Sequence, residues 1–246
     1  MTVGNGATYA ASASRSGVGY GLDFAGGSGN SPLMAALASL PADIVTNGAM
    51  TVAGWVRFDT SSSFARFFDF STGTENNNNI IVTRNGTTNN LLFEIFSGTT
   101  SVATLQAPAV ISNGQWMHVA ATIDSNREVA LYVNGSLINK TSASAAVNFA
   151  ALNTFRFGQS AFAADSKLDG AIDDIHIFSR ALNLAEVQAL YGSGGGSMPH
   201  AITIYQDTSY VFSQANANGI SIGDATAGSG TMTTTLTVSN GTLTLG

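Results

Sequence analysis

Short apolar runs, separated by turn-forming residues, recur along most of the chain. Runs of this length predict β-strands, and their spacing is typical of an antiparallel sandwich or jelly roll. We therefore predict an all-β protein. The predicted strands cover residues 50–58, 65–70, 80–83, 91–96, 116–123, 129–133, 154–157 and 171–178.

Turn and cap residues support this division. Asn134-Gly135 lies between two apolar runs and predicts a two-residue hairpin, since both residues tolerate the positive φ that such turns need. One helix is predicted over 184–191, with Asn183 as its N-cap. We expect this helix to close the main domain.

The pattern changes after the helix, where a glycine- and serine-rich segment of linker composition begins. Beyond it the sequence is strand-like again but short for an independent sandwich. We predict four segments: an N-terminal arm over 1–19, which a neighbouring subunit could accept as an exchanged strand, a jelly roll over 20–191, a linker over 192–198 and an incomplete β repeat over 199–246.

Composition narrows the classes of function. Hydrophobic residues make up 44% of the chain and charged residues only 10%, with a net charge of −6. The acidic balance argues against binding to nucleic acid or anionic lipid, and no apolar stretch is long enough to span a membrane. We expect an extracellular or cell-surface protein. No signal peptide is recognisable in residues 1–20, so we expect that any such signal was removed or lay upstream.

The order of motifs over residues 20–191 resembles the bacterial laminin-G-like family of concanavalin A-type jelly rolls. The resemblance implies a jelly roll of two sheets that binds glycans or surface proteins. The motifs that carry it are Gly21-Leu22-Asp23-Phe24, the tryptophan strand 50–57, Phe67-Phe68-Asp69-Phe70 with the asparagine run 76–79, Gln115-Trp116-Met117-His118, Leu131-Tyr132-Val133-Asn134-Gly135 and the closing segment 168–182.

The tail resembles a different family, the cadherin-like or immunoglobulin-like repeats of large bacterial adhesins. The resemblance rests on Gln206-Asp207-Thr208, on residues 219–228 and on residues 236–243. The repeat stops at about half the ordinary length of about 100 residues, so strands are missing. A strand from a neighbouring subunit could complete it, which would make the chain a building block of a fibre.

Calcium is the expected cofactor, since it takes oxygen ligands from carboxylates and carbonyls. The jelly-roll resemblance implies a site at Asp173, with carbonyl groups around Asp23 and Gly26, and Asp174 is the adjacent carboxylate. Strand alternation sends Asp173 and Asp174 to opposite faces, so a regular strand offers only one of them to a single site. The alternative is that Asp173 caps local backbone amides.

A second, weaker ligand site is the loop that brings Asp69 towards Asn77, Asn78 and Asn79. The alternative is a simple solvated turn, which asparagine-rich loops often form. Among the aromatic residues, we expect both tryptophans to be buried. We regard Phe64, Phe149 and Phe162 as the better candidates for touching a ligand.

Catalysis is not predicted. The three histidines are scattered, and no Ser-His-Asp order or nucleophile elbow accompanies them. Glycoside hydrolysis needs two positioned carboxylates, whereas Glu94 and Glu128 are lone acids. Two functions stay open: a calcium-stabilised module that binds a glycan or surface protein, and a filament subunit assembled by strand complementation.

Overall fold

The computed structural model describes residues 2–3, 7–10, 13–15, 20–28, 35–73, 75 and 77–192. The chain divides into two compact units, Met1–Pro199 and His200–Gly246. The predicted linker beyond residue 192 and the predicted adhesin-like repeat lie outside the described residues. Within the described ranges, no helix has the length and apolar character needed to cross a membrane.

Fourteen strands, two α-helices and a short 3-10 turn make up the described chain. The strands are β1 (Thr2–Val3), β2 (Ala7–Ala10), β3 (Gly21–Ala25), β4 (Ala35–Leu37), β5 (Met50–Phe58), β6 (Arg66–Ser71), β7 (Ile80–Arg84), β8 (Leu91–Ser97), β9 (Thr100–Ala107), β10 (Trp116–Ile123), β11 (Glu128–Val133), β12 (Ser136–Ser142), β13 (Thr154–Phe157) and β14 (Asp169–Phe178). The helices are α1 (Asp43–Asn47) and α2 (Leu184–Gly192), and the 3-10 turn is Phe149–Ala151.

The strands form two antiparallel seven-stranded sheets. Sheet A has the order β1-β4-β13-β6-β7-β8-β9, and sheet B has the order β12-β11-β10-β5-β14-β3-β2. This arrangement confirms the predicted jelly-roll sandwich. The hairpin at Asn134-Gly135 is also confirmed, because both residues have positive φ, 49° and 76°, and they join β11 to β12.

Several elements depart from the sequence expectation. Strands β1 and β4 and helix α1 were not predicted, because each has five residues or fewer and carries little pattern. Strand β9 was not predicted, because its residues are mostly Thr, Ser and Ala and the run is only weakly apolar. The N-terminal arm, expected to have no place in the jelly roll, contributes β2, which pairs with β3 of the same chain from Ala7–Phe24 to Ala10–Gly21. Exchange of this strand with a neighbour, and assembly into a fibre, stay predictions.

The main core lies between the inner faces of the two sheets. Phenylalanines of sheet A dominate it: the ring centroids of Phe70 lie 5.4 Å from Phe155 and 5.6 Å from Phe157. Phe67 reaches across to Gly54 of sheet B, where an added Cβ would lie 3.1 Å from the Phe67 ring. Gly54 therefore gives the room that this aromatic packing needs.

A smaller apolar layer covers the outer face of sheet B. Small side chains, Ala53, Ala120 and Ala130, form a shallow surface there, and Val187 and Leu190 of α2 are buried against it. Flat surfaces of this kind allow a helix to approach a sheet closely. Helix α2 therefore closes the domain on this side.

Candidate functional site

The outer face of sheet A carries a cleft of about 200 Å³. Antiparallel pairing lines up outward side chains in rows, one of which runs Asp69, Ile81 and Glu94 across β6, β7 and β8. The next row holds Arg66 opposite Thr83. The residues that line the cleft are Phe64, Arg66, Ile81, Thr83, Leu92, Glu94, Phe96, Phe162 and Asp165.

The segment 158–168, which joins β13 to β14, covers part of this face, and we call it the covering loop. Two carboxylates hold the backbone of this loop. The Ala161 N–H donates to Asp69 Oδ2 over 2.9 Å, and the Ala163 N–H donates to Glu75 Oε1 over 2.8 Å. Within the loop, Ser160 Oγ donates to Asp165 Oδ2. The loop therefore has a fixed position over the sheet, with Phe162 at the cleft.

Arg66 joins three parts of the site although its side chain is only 2% exposed. Its Nη1 donates to the Phe64 carbonyl over 2.8 Å and to Thr83 Oγ1 over 2.7 Å, and its Nη2 donates to Asp165 Oδ2 over 2.7 Å. A second carboxylate, Asp69, lies 3.6 Å from Nε. Buried charges need such partners, because losing water costs several kcal/mol per ion, a cost on the order of the pairing itself.

Asp165 keeps a mixed environment. Burial raises the pKa of its carboxyl, although the Arg66 guanidinium and the Ser160 hydroxyl oppose that change by stabilising the carboxylate. Its Oδ2 is taken by both of those groups. The Asp165 carboxylate is therefore a structural partner of Arg66 more than a free group.

Glu94 is the acid of the cleft that, unlike Asp165, bonds only to neutral groups of the described chain. Its Oε1 accepts hydrogen bonds from the hydroxyls of Ser101 and Thr104 on β9, over 3.0 and 3.3 Å. The side chain is half-buried, and no cation pairs with it among the described residues. Glu94 Oε2 is thus placed to accept hydrogen bonds from a ligand.

Three phenylalanines form the apolar walls. Phe162 lies 5.4 Å from the Arg66 guanidinium, which holds the ring in a cation–π contact. Phe64 is 37% exposed and has a φ of 52°, a backbone region that bulky residues rarely adopt. Such strain is held by surrounding structure and concentrates at ligand sites. Phe96 completes the set from β8.

The residues of the predicted asparagine loop are brought together but bond to one another. Asp69 is fully buried and accepts from Asn79 Nδ2 over 3.4 Å. Asn79 Oδ1 accepts from the Asn77 N–H, and Asn78 Oδ1 accepts from the Gly98 N–H. The Asn77 side chain accepts through its Oδ1 from Asn78 Nδ2 over 3.1 Å. These contacts give the four side chains a structural role beside the cleft, and a ligand role for them stays a prediction.

The predicted calcium residues are only partly brought together. Asp23 and Asp173 lie on the outer face of sheet B, on neighbouring strands. Gly26 lies next to Asp169, four residues along β14 from Asp173 and hence about 13 Å away. Calcium ligands lie within about 2.6 Å of the ion, so Gly26 and Asp173 do not fit one calcium sphere.

Asp173 caps two backbone amides, one of them local, as in the alternative that the sequence left open, and one from the N-terminal arm. Its Oδ2 accepts from the Arg15 N–H and its Oδ1 from the Asp174 N–H, both over 2.9 Å. Asp174 lies in a β-bulge with a φ of 51°, and burial, followed by Asp173, raises its pKa. With Tyr9 and Tyr20, the two aspartates line a second groove of about 190 Å³.

No cluster of three or more His, Cys, Asp or Glu side chains suited to a metal occurs in the part of the chain that the structure describes. Calcium binding stays a prediction.

The aromatic predictions divide. Trp55 is buried as expected, 7% exposed, between Tyr191, His118 and Arg15. Trp116 is partly exposed, with the Arg57 guanidinium 5.3 Å from its ring centre. Phe64 and Phe162 line the cleft, as expected of ligand-contacting residues, whereas Phe149 as a candidate was wrong, since it is 5% exposed within the core.

Sequence reasoning missed Arg66 and Glu94. The signal for Glu94 was present, because the alternation along β8 puts Leu92, Glu94 and Phe96 on one face. Strand β7 pairs with β6 on one side and with β8 on the other, which brings Glu94 and Arg66 into one cleft, and this is a property of the sheet order. That order could not be read from spacing alone.

Comparisons with known proteins agree with this architecture. Residues 34–188 match the family model described as the concanavalin A-like lectin/glucanases superfamily. This match confirms the laminin-G-like resemblance over most of residues 20–191. No curated protein matches the chain in sequence.

Among solved structures, the chain is similar to the CBM40 of the Ruminococcus gnavus IT-sialidase bound to α2,3 sialyllactose. The TM-score is 0.58 at 17% identity, over 70% of this chain and 96% of that one. The same CBM40 bound to α2,6 sialyllactose gives a TM-score of 0.57, also at 17% identity and with the same coverage of both chains. A structure described as NanB plus Optactamide gives 0.52 at 20% identity, over 66% of this chain and 27% of that one. At these identities the likeness shows the fold.

Proposed function

We propose that this chain, which belongs to the concanavalin A-like lectin/glucanases superfamily, is a carbohydrate-binding module that takes a sugar into the sheet A cleft. The observation that carries the proposal is the cleft itself, where Phe64, Phe96 and Phe162 stand around Arg66 and Glu94. The similarity in fold to a CBM40 bound to sialyllactose supports it.

The chemistry of the lining suits a sugar. A pyranose ring has apolar C–H faces, which pack on phenylalanine rings, and hydroxyls at its edge, which donate to a carboxylate such as Glu94. Ligand sites generally combine an apolar lining with a few placed polar groups, and they enclose about 300–1,000 Å³ for drug-sized ligands. The volume here, about 200 Å³, is smaller and fits one sugar ring at the end of a glycan.

The acids of the cleft favour binding over hydrolysis. Hydrolysis needs a proton donor and a second carboxylate that both reach the scissile bond. Glu94 is one acid, but Asp165 Oδ2 is engaged by Arg66 and Ser160. We therefore propose a non-catalytic role, and incubation of the chain with the bound glycan should release no reducing ends.

The finer parts of the proposal concern where the module works. The low charged fraction and the family support a bacterial adhesion module outside the cell, holding a glycan or a glycosylated surface protein. Calcium is proposed as a stabiliser at a position still to be located. Titration of the chain with calcium alone by calorimetry, followed by chelator, tests this separately: no heat and no change in melting temperature would remove calcium.

The test of the binding site is a glycan array followed by calorimetric titration of the best glycan. Phe162→Ala should weaken binding about tenfold or more, since stacked aromatic side chains at binding sites contribute on the order of 1–3 kcal/mol each. Tyr9→Ala is the matched control, because Tyr9 is an exposed aromatic of the second groove. An array without any bound glycan, or loss of binding in Tyr9→Ala alone, would contradict the proposed site.

A further inference from the structure

The charges around the cleft are unequal, and this bears on which sugar it accepts. Arg66, the one cation that lines it, is matched by two carboxylates: Asp165 Oδ2 lies 2.7 Å from its Nη2, and Asp69 Oδ2 lies 3.6 Å from its Nε. Every Nη hydrogen bond described for Arg66 ends on the protein itself. An incoming carboxylate would therefore find no uncompensated cation at Arg66.

Arg156 is the second cation on this face, and it lies outside the cleft. Its strand position is opposite Asp69, and two strands, β6 and β7, separate it from Glu94. Its Nε and Nη1 have no hydrogen-bond partner in the described structure, and burial lowers its pKa while Asp69 opposes the change. Because two strands separate Arg156 from Glu94, it does not pair with Glu94 or offset its charge at the wall of the cleft.

Glu94 remains as an unpaired negative charge at the wall of the cleft, and Glu75 adds another at the covering loop. Two unit charges of the same sign 5 Å apart, even in water, repel by an energy equivalent to roughly a fourfold change in affinity. The repulsion is larger in a half-buried site, where the effective dielectric constant is lower.

We infer, resting on the proposed function, that the cleft selects uncharged sugars and rejects sugars that carry a carboxylate, with Glu94 as the specificity-determining residue. Glu94 accepts hydrogen bonds from neutral hydroxyls and repels acidic groups. The related fold of the R. gnavus CBM40 is recorded with sialyllactose, an acidic glycan, so this chain would differ from it in ligand charge.

The experiment is an array of matched glycan pairs, each a neutral glycan and its acid-capped form, followed by titration of lactose and of α2,3 sialyllactose. The neutral member of each bound pair should bind at least about fourfold more tightly. In Glu94→Gln, which keeps the acceptor for Ser101 and Thr104 but loses the charge, the ratio of the two Kd values should fall towards one. Added salt should narrow the ratio in the wild type, because screening weakens the repulsion.

Glu128→Gln is the matched control, since Glu128 carries the same charge on β11 of sheet B, where it pairs with Lys140. The ratio of the Kd values for the acid-capped and the neutral glycan should be the same in Glu128→Gln as in the wild type. The inference would be overturned if acid-capped glycans bound as tightly as neutral ones or more tightly. If Phe162→Ala or Arg156→Gln then abolished that binding, a sugar site on this face would still stand. Absence of binding to every pair would overturn the proposed function, and the inference with it.

Discussion

Both sheets have seven strands, but their outer faces differ. A helix packs on the outer face of sheet B, whereas the outer face of sheet A keeps an open cleft. Sheet B presents small side chains, among them Ala53 and Ala120, and α2 covers them with Val187 and Leu190. Sheet A presents Arg66, whose ion pairs fix the covering loop, and Glu94, which stays at the surface. Where sheet B presents small side chains a helix packs on it, whereas the large polar and aromatic side chains of sheet A leave a cleft.

The two faces also differ in the source of their stability. The covered face of sheet B is held by apolar burial and by ring contacts around Trp55, including Tyr191 at 5.5 Å. The open face of sheet A is held by hydrogen bonds and ion pairs that converge on Asp69 and Arg66. Mutations on sheet B should therefore change stability alone, and those on sheet A should change stability and binding together.

The largest effect is expected at Asp69. Asp69→Ala removes a fully buried carboxylate and leaves Arg66 with a single carboxylate partner, Asp165, so the free energy of unfolding should fall by about 3–5 kcal/mol. It also frees the Ala161 N–H, so the covering loop should loosen and the affinity for glycan should fall.

Urea denaturation measures the loss at Asp69, with Asp59→Ala as control. Asp59 pairs with Arg57 at the surface, where such pairs contribute about 0–1 kcal/mol. Equal small losses in the two variants would show that the charge network does not hold the sheet A face.

A somewhat smaller effect is expected on the covered face. Leu190→Ala should lower the free energy of unfolding by about 2–4 kcal/mol, since Leu190 is 2% exposed on the side of α2 that packs on sheet B. Leu184→Ala in the same helix is the control, because Leu184 is 43% exposed. Glycan affinity at temperatures where the protein stays folded should be unchanged in both, and a loss in Leu190→Ala would link the two faces.

Acid should weaken the covered face through His118. Burial lowers the pKa of His118 from 6.5 to about 4, with further lowering by the charges of His176 and Arg15. The unfolded chain therefore takes up a proton near pH 6.5 that the folded chain takes up only near pH 4. The stability that neutral His118 contributes is fully present above the unfolded-state pKa of 6.5. It is lost as the pH falls from there to about 4, which lowers the free energy of unfolding by up to about 3 kcal/mol.

Denaturation curves at several pH values test the role of His118, with His118→Phe as the comparison. That variant keeps an aromatic ring against Trp55 but does not titrate. The difference in stability between wild type and variant should change across this window and level off on either side. A constant difference in stability would mean that His118 has the same pKa in the folded and the unfolded chain.

How far the sequence predicted the molecule differs between fold and site. Strands such as β5 and β8 were predicted because their apolar runs are strong, and residues 91–96 contain a single polar residue, Glu94. Strand β9 was missed because Thr and Gln alternate with its inward-facing residues, so the apolar content of the run is low. The place of β2 was missed because four residues carry too little pattern to show a partner.

The site was harder to predict because it depends on pairing between strands distant in sequence. Phe64 and Phe162 were recognised as aromatic residues on loops. Nothing in the local sequence showed that the Arg66 guanidinium contacts both, through the Phe64 carbonyl and the Phe162 ring. The group around Asp69 was predicted as a weaker ligand site, and its oxygens accept from Ala161 and Asn79 in the structure, while a ligand role stays a prediction. Polar residues in a loop do not reveal whether their partners are internal.

The central claim, that a sugar binds the open face of sheet A, is tested most directly by amide and indole NMR spectra during titration with the best array glycan. The account predicts that shift changes cluster at Phe64, Ile81, Phe96 and Phe162, while the indole signals of Trp55 and Trp116 on sheet B stay in place. Changes centred on the tryptophans, or on Tyr9 and Asp174, would contradict it.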